Sequence, residues 1–592
     1  MRIWIKKYWR EILVIVMAVS FFAGVSFFNG IVRAEPPFKW GAPDENANYV
    51  FSKLYAQAGE LTIFEKYNVY AEDILHPRSV RSAHGDLKPV SFLGLILIYG
   101  FIASLVGYEA LPYLTPLFAS VAIFFFYLLI KEMFGKRNAL ISTFFLSVFP
   151  VFIYYSARSM FHNVLFVSLL VIGLYFAYNM ARENKKKPGF FTFDLSYINR
   201  KAWICAALAG TFIGLAATAR TSELLWMLPG GLVLWLFNIR KIGITKLTIF
   251  LAFVVISMLP MFYWNQVLYN SPIYGGYPEM NNSIEGLKQT GEGLARSVAG
   301  IDYNSINVLL NKAKNLIFHF GFNPELSREM FVHYIVKMFP WLFWPALVGF
   351  FVFIRGVGKW KKKHWAYLCS YIIISLILIY YYGSWKFHDN PDETSFTIGN
   401  SYTRYWLPVY MGGLPFAAIF IGKLPEKIFL SNKRKQPGKN KFKINRILAV
   451  TISLVLAGSI GYSMMNFVLY GSEEGLARTI DVQLSEKRQY EKVLQATPRE
   501  AVVITTYHDK LLFPERRVIV GLFKDENMIE NYAKLAEILP VYYYNFTFRP
   551  EAVDYLNQGR LGKAGLELKE YKNINEVFHL YRLKKIKNNS DQ

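Results

Sequence analysis

Cysteine is nearly missing from this sequence. Two occur in 592 residues, Cys205 and Cys369, and both sit inside apolar runs. That excludes a disulfide framework or a cysteine metal site and leaves small core residues. Acids are scarce too: 42 Asp and Glu stand against 66 Lys and Arg, for a formal charge of +24. No basic stripe with interleaved aromatics lies outside the apolar regions, so the excess cation is not a nucleic-acid surface. There is no internal repeat and no long low-complexity segment.

Apolar surface, by contrast, is abundant. The chain is 53% hydrophobic and 17% aromatic, and apolar runs near the length of a membrane span recur along it. The candidates are about 12–32, 90–107, 111–130, 139–156, 162–181, 202–219, 223–239, 247–268, 333–355, 365–383, 405–422 and 447–468. Cations cluster between them, at Lys185 to Lys187, Arg240-Lys241, Lys359 to Lys363 and the tract Lys433 to Arg446. This is the pattern of cytoplasmic loops. The first run follows Lys6, Lys7 and Arg10 and ends at Ile31-Val32-Arg33 without a small-residue cleavage site, so it is expected to be a retained span with its N-terminus in the cytoplasm.

The charge rule is consistent everywhere except at 89–130. This stretch must cross an odd number of times yet holds two apolar segments. One of them, 90–107, is therefore expected to be re-entrant or interfacial, giving about eleven spans. The resulting domains are a membrane module over 1–468 and an extracytoplasmic domain over 469–592. Residues 33–88 and 269–332 form large loops on the same outer side. In the tail, Ala501 to Thr505, Arg517 to Val520 and Val541 to Tyr544 read as strands. Ile480 to Leu494 and Asn527 to Leu539 read as helices, making a small α/β domain of about 120 residues. The fold class expected is an α-helical polytopic membrane protein with a small α/β C-terminal domain.

The first outer loop opens with Pro43-Asp44-Glu45-Asn46-Ala47-Asn48-Tyr49, followed by a short amphipathic helical pattern. Locally, Asp44 reads as a helix N-cap, with Glu45 favouring the dipole. The same side gathers cations near the ends of spans, where the inside rule predicts few: Arg78, Arg81, Lys88, Arg158, Arg220 and Arg404. Each alone could snorkel to a headgroup. Together they suit an anion, Arg by bidentate geometry and Lys as a point charge. A carboxylate beside a held phosphate fits attack of a hydroxyl on a sugar whose leaving group is a lipid phosphate. The carboxylate takes the proton and the cations stabilise the charge that develops.

PDENANY after the first span, Gly85-Asp86-Leu87-Lys88-Pro89 before the next, and Arg404-Tyr405-Trp406-Leu407-Pro408 at a late one resemble the GT-C membrane glycosyltransferases. The branches they are most similar to are the protein O-mannosyltransferases and the lipid A aminoarabinose transferases. Asn270-Ser271-Pro272 through Gly275-Gly276-Tyr277 resembles a loop of bacterial members. The resemblance implies a polyprenyl-phosphate sugar donor, inverting transfer and an active site outside the cytoplasmic membrane. It implies Asp44 as the catalytic acid with Glu45 beside it, Lys88 on the phosphate, and Arg404 and Tyr405 in the late motif. The acceptor stays open between a lipid, a glycan and a protein. Where aminoarabinose transferases carry an Arg shortly after the acidic pair, this chain has Asn46, Ala47 and Asn48; where relatives carry an acid it has His162-Asn163. The acids are too few and too unevenly placed to define a hard-cation site, so no cofactor is expected, with a divalent metal as the open alternative. The rival readings are a flippase for a lipid-linked sugar, which predicts mid-membrane acids and repeat symmetry, and a sensor working through 469–592.

Overall fold

A computed structural model describes residues 2–182, 200–299, 308, 312, 315–318, 321–387, 389, 392, 394–430, 439–471 and 474–586. The basic run Lys185 to Lys187, the first part of the 433–446 tract and part of the 269–332 loop lie outside the described residues. The chain divides into two compact units. One comprises 1–28, 113–262 and 278–478, and the other 29–112, 263–277 and 479–592.

The first unit holds most of the apolar helices. Among the described residues, eight helices of the chain are long and apolar enough to cross a membrane, and up to ten if two bent pairs each count as one span. This count does not confirm the eleven expected, and the differences have local causes. Residues expected as single spans at 139–156 and 333–355 are bent by 46° and 99°, with Pro150 and Pro340 opening the second helix of each pair. Proline removes a backbone donor and clashes with the preceding turn. Thr221–Tyr269 runs for 49 residues. A straight helix of that length would be about 70 Å long, over twice the hydrocarbon thickness. It is broken at Gly243, whose φ of 64° lies in the left-handed region.

The second unit begins with the last residues of helix α1 (Arg2–Val32), from Asn29 on, and a buried turn where the Arg33 guanidinium donates to Asn29 Oδ1 (2.5 Å) and Gln483 Oε1 (3.2 Å). Helix α2 (Pro43–Ala58) follows, then strands β1 (Ile63–Phe64), β2 (Val80–Ala83) and β3 (Asp86–Pro89), in the antiparallel order β1-β3-β2. The β2–β3 turn needs positive φ at both central residues, His84 (55°) and Gly85 (87°). Asp73 closes it by accepting from His84 N (2.8 Å), Gly85 N (2.8 Å) and Ser82 Oγ (2.6 Å). Helix α3 (Leu93–Val106) is apolar but only 14 residues long, too short to span and consistent with the re-entrant or interfacial segment expected there.

The tail forms a five-stranded sheet. Strands β4 (Val502–Thr505), β5 (Arg517–Val520), β6 (Val541–Phe546), β7 (Leu566–Asn573) and β8 (Phe578–Lys585) lie in the order β5-β4-β6-β8-β7. The pairs β4–β5 and β4–β6 are parallel; β6–β8 and β7–β8 are antiparallel. The first three strands and both helices, Leu476–Ala496 and Glu526–Ile538, match the expectation. The β7–β8 hairpin was not expected: its outer face is rich in charge, which hides the alternation of Leu566 with Leu568. The sheet's core is shared with the first loop, because Ala71 and Leu75 are buried among Val502, Ile504, Ile519, Val541, Tyr543 and Tyr581. Burying a side chain like Leu75 contributes about 2 kcal/mol.

Candidate functional site

Within the second unit, the site is built on α2 and the β2–β3 hairpin. Helix α2 is capped differently from the expectation: its N-cap is Ala42, Pro43 takes the first helical position, and Asp44 sits one residue further in. Glu45, fully buried, accepts from Ala42 N at 3.2 Å. Its carboxylate therefore serves the helix start, because a helix leaves its first N–H groups without internal partners. Asp44 is only half-buried and accepts the Ser79 hydroxyl on Oδ1. Ser79 has a φ of 64° and its carbonyl accepts from Val90 N (3.2 Å), so the start of β2 is fixed to the end of β3. One turn along α2, Asn48 Oδ1 accepts from Ser91 Oγ (2.5 Å).

The hairpin places Arg81 and Lys88 directly opposite each other, on one face of the small sheet. Like charges at paired positions repel, and Asp86, two residues before Lys88, is the acid on the same face. Lys88 Nζ also donates to Leu268 O at 3.3 Å. The 263–277 segment clasps the strand: Tyr269 donates its hydroxyl to Pro89 O (2.5 Å), and Gly276 lies so close that a Cβ there would meet Val90 O at 2.4 Å. This is the Gly275-Gly276 loop singled out in the sequence. Arg78 takes another partner. Its Nη2 and Nε reach Asp509 Oδ1 at 2.6 and 3.0 Å, and its backbone N reaches Oδ2 at 2.8 Å. Asp509 is fully buried, so Arg78 ties the first loop to the tail.

The first unit brings the other four residues together. Arg158 caps helix Pro150–Ala157, Arg220 follows helix Arg200–Ala219, and Arg404 and Tyr405 lie in the short helix Ser401–Tyr405. Arg158 and Arg404 share the Phe161 ring, at 4.9 and 4.4 Å from its centroid. Arg404 and Arg220 share the Tyr405 ring, at 5.2 and 4.8 Å. Tyr405 in turn stacks on Tyr382 at 4.3 Å. Guanidinium–arene stacking is worth about 0.5–2 kcal/mol per pair, more when desolvated. Arg220 is buried and pairs with buried Glu223 through Nε (2.8 Å); Glu223 also accepts from Tyr382 Oη (2.8 Å) and Trp226 Nε1. Asn163 Nδ2 donates to the Arg404 carbonyl (3.2 Å). Glu223 and Asn163 were not expected in this role. The signal for Glu223 was its i,i+3 spacing from Arg220. Among the described residues, no group of three or more His, Cys, Asp or Glu side chains gathers as a metal site.

The apolar helices and the five-stranded sheet are those of a polytopic membrane protein, and the fold is shared with a solved membrane protein. That structure is ArnT from Cupriavidus metallidurans bound to undecaprenyl phosphate, with a TM-score of 0.50 and 11% identity over 95% of this chain and 97% of that one. Also similar are the oligosaccharyltransferase AglB from Archaeoglobus fulgidus in complex with an inhibitory peptide and a dolichol-phosphate (TM-score 0.47, 13% identity, 100% and 75% covered), and the Archaeoglobus fulgidus oligosaccharyltransferase tethered with an acceptor peptide (0.45, 13%, 96% and 73%). At such identities the likeness concerns the fold alone. No protein-family model and no curated relative matches the sequence.

Proposed function

We propose that this chain is a membrane glycosyltransferase that moves a sugar from a polyprenyl-phosphate donor to an acceptor hydroxyl, inverting the anomeric carbon, on the extracytoplasmic side. The observation that carries the reading is the hairpin. It holds Arg81 and Lys88 face to face, and the residue two before Arg81, Ser79, donates to Asp44. A carboxylate and an anion cradle are thus built on one supersecondary unit. The fold shared with an undecaprenyl-phosphate-bound ArnT supports the lipid-linked donor.

In the proposed step, the acceptor oxygen forms a bond to the anomeric carbon while the bond from that carbon to the phosphate oxygen breaks. The electron pair leaves with the phosphate, whose growing charge Arg81 and Lys88 stabilise. The acceptor proton passes to Asp44. The Ser79 hydroxyl orients the carboxylate. Glu45 and Arg78 act as supports, the first by capping α2 and the second by fixing the hairpin to the tail. The guanidinium cluster of the first unit is a second anion-binding group, preorganised by its rings.

The experiment supplies purified protein with radiolabelled polyprenyl-phosphate sugars and host membranes as acceptor, comparing wild type with Asp44→Asn. Label leaving the lipid in wild type, and lost in the variant with donor binding kept, supports the reading. Donor bound but never consumed by wild type, with movement across liposomes instead, overturns it in favour of a flippase.

A further inference from the structure

A second feature of the same unit lies at the carboxyl ends of the parallel strands of the five-stranded sheet. Strand β4 leads to β5 on one side of it, and β6 pairs on its other side. From β6 the chain runs on to β7 at the far edge. It therefore leaves β4 and β6 in opposite directions. In open α/β sheets that divergence opens a crevice beyond the carboxyl ends of the two strands, where ligands bind. Asn545, near the end of β6, reaches across by donating from Nδ2 to Thr506 Oγ1, just past β4 (3.2 Å).

Three rings form one surface at this end. Phe546 and Phe578 are cross-strand partners on β6 and β8, stacked with centroids 4.9 Å apart, and Tyr507 stands edge-on to Phe546 at 6.3 Å. Tyr507, Phe546 and the adjoining Val577 are 47%, 49% and 50% exposed. A contiguous exposed patch of this kind marks a binding surface. The residues flanking the three rings are Thr506, His508, Asn545, Thr547, Val577 and His579, with no acid, lysine or arginine among them. His508 packs on Phe578, and burial pushes its imidazole down, so it is neutral. The ionic groups that do approach, Arg78 and Asp509, are paired with each other. The surface is thus aromatic, edged by hydroxyl and amide groups, and uncharged. That combination suits a neutral sugar, whose C–H face covers a ring while its hydroxyls meet polar neighbours. A lipid phosphate or an acidic peptide would find no free cation here.

The surface is also tied to the candidate catalytic carboxylate. Arg78 Nη2 donates to the Tyr507 carbonyl at 3.0 Å, and the next residue, Ser79, donates to Asp44. One Cα step, about 3.8 Å, separates the residue that holds the ring-bearing segment from the one that orients the carboxylate. We infer that this crevice is the acceptor subsite and that the acceptor is a neutral glycan. A sugar ring stacks on Tyr507 and Phe546, its hydroxyls meet Thr506, and the chain continues toward Asp44. The acceptor role rests on the glycosyl-transfer reading; saccharide binding by the crevice does not.

The test uses the full-length chain in lipid nanodiscs, because maltoside detergents carry sugar rings of their own. Without any donor, saturation-transfer NMR follows neutral trisaccharides of glucose, galactose, mannose and N-acetylglucosamine. At least one is expected to bind, with transfer strongest at its ring C–H protons. Tyr507→Ala and Phe546→Ala should each weaken it about tenfold, and Tyr507→Phe should restore it, because a ring is what the sugar needs. The Tyr507 carbonyl still receives Arg78 in both Tyr507 variants, and the melting temperature checks that each variant is folded. In the transfer assay, the alanine variants should raise the apparent KM for acceptor membranes about tenfold and leave donor binding unchanged. Binding of none of the trisaccharides, or binding indifferent to both alanine variants, overturns the inference. So does an unaltered acceptor KM. A wild type that binds a trisaccharide but never consumes donor overturns the acceptor role together with the transfer reading, and leaves a saccharide site alone.

Discussion

The two cationic groups of this protein hold their charges by opposite means. In the first unit, three arginines at helix ends are bedded on the faces of Phe161 and Tyr405, and the buried one, Arg220, is neutralised by Glu223. In the second, Arg81 and Lys88 face each other across two strands. The bedded arginines are stable in place before any ligand arrives. The strand pair repels across the two strands, with Asp86 two residues before Lys88 on the same face as the acid beside it. A group of the second kind gains most where negative charge grows during a reaction, because the relief of repulsion then adds to the attraction.

The comparison can be broken in several ways. Asp44→Asn should lower transfer by about 10²–10⁴-fold with donor binding kept, measured by label release from the lipid. Loss of donor binding instead would place Asp44 among the binding residues. Glu223→Gln leaves Arg220 buried without its counter-charge and should destabilise the first unit by about 3–5 kcal/mol, read as a fall in melting temperature. An unchanged Tm would show that the aromatic bed alone holds Arg220.

A pH profile separates the units further. His508, packed against Tyr544 and Phe578, is pushed down to about 4 by burial first and by the Lys510 cation second, with Asp509 opposing. The folded value lies below the ordinary value of about 6.5, so the unfolded chain binds more protons between the two. Stability is full above pH 6.5 and is lost as pH falls toward 4, by up to about 3 kcal/mol. His508→Phe should remove that slope in hydrogen exchange of the tail strands and leave the first unit's exchange unaltered. Asp73→Ala loses the three hydrogen bonds that close the β2–β3 turn. It should cost about 1–3 kcal/mol and raise the apparent KM for donor. The smallest effect is the sharpest. Arg81→Ala should stabilise the hairpin by about 0.2–1 kcal/mol while weakening donor binding, a sign reversal that a purely structural arginine would not give.

Much of this was legible in the sequence, and the rest was hidden for identifiable reasons. Apolar runs and loop cations give the helical class directly, because hydropathy is local. The breaks at Pro150, Pro340 and Gly243 depend on how tertiary packing uses a permissive residue. PDENANY points to Asp44, but its neighbours take other tasks: Glu45 caps α2, and Arg78 pairs with an aspartate 431 positions away. No local pattern marks such a long-range partner. The Arg81–Lys88 pairing needed a strand register, which the two-residue turn sets and the residue types alone do not. Glu223 was visible beside Arg220 but reads as an ordinary helix-start acid until the Tyr382 and Trp226 donors are seen around it.

The shared core of the first loop and the tail has a consequence for biosynthesis. The Arg78–Asp509 pair closes over 431 residues, and Ala71 and Leu75 belong to a core whose other members are made last. At typical elongation rates that gap is on the order of 20–90 s. For that interval the loop is a half-built interface, with Ala71 and Leu75 uncovered and Arg78 without the aspartate it will meet. A ribosome stalled before Asp509 would therefore display a fully synthesised first loop that cannot yet be finished. Accordingly, protease sensitivity of residues 66–80 should report how far translation has travelled.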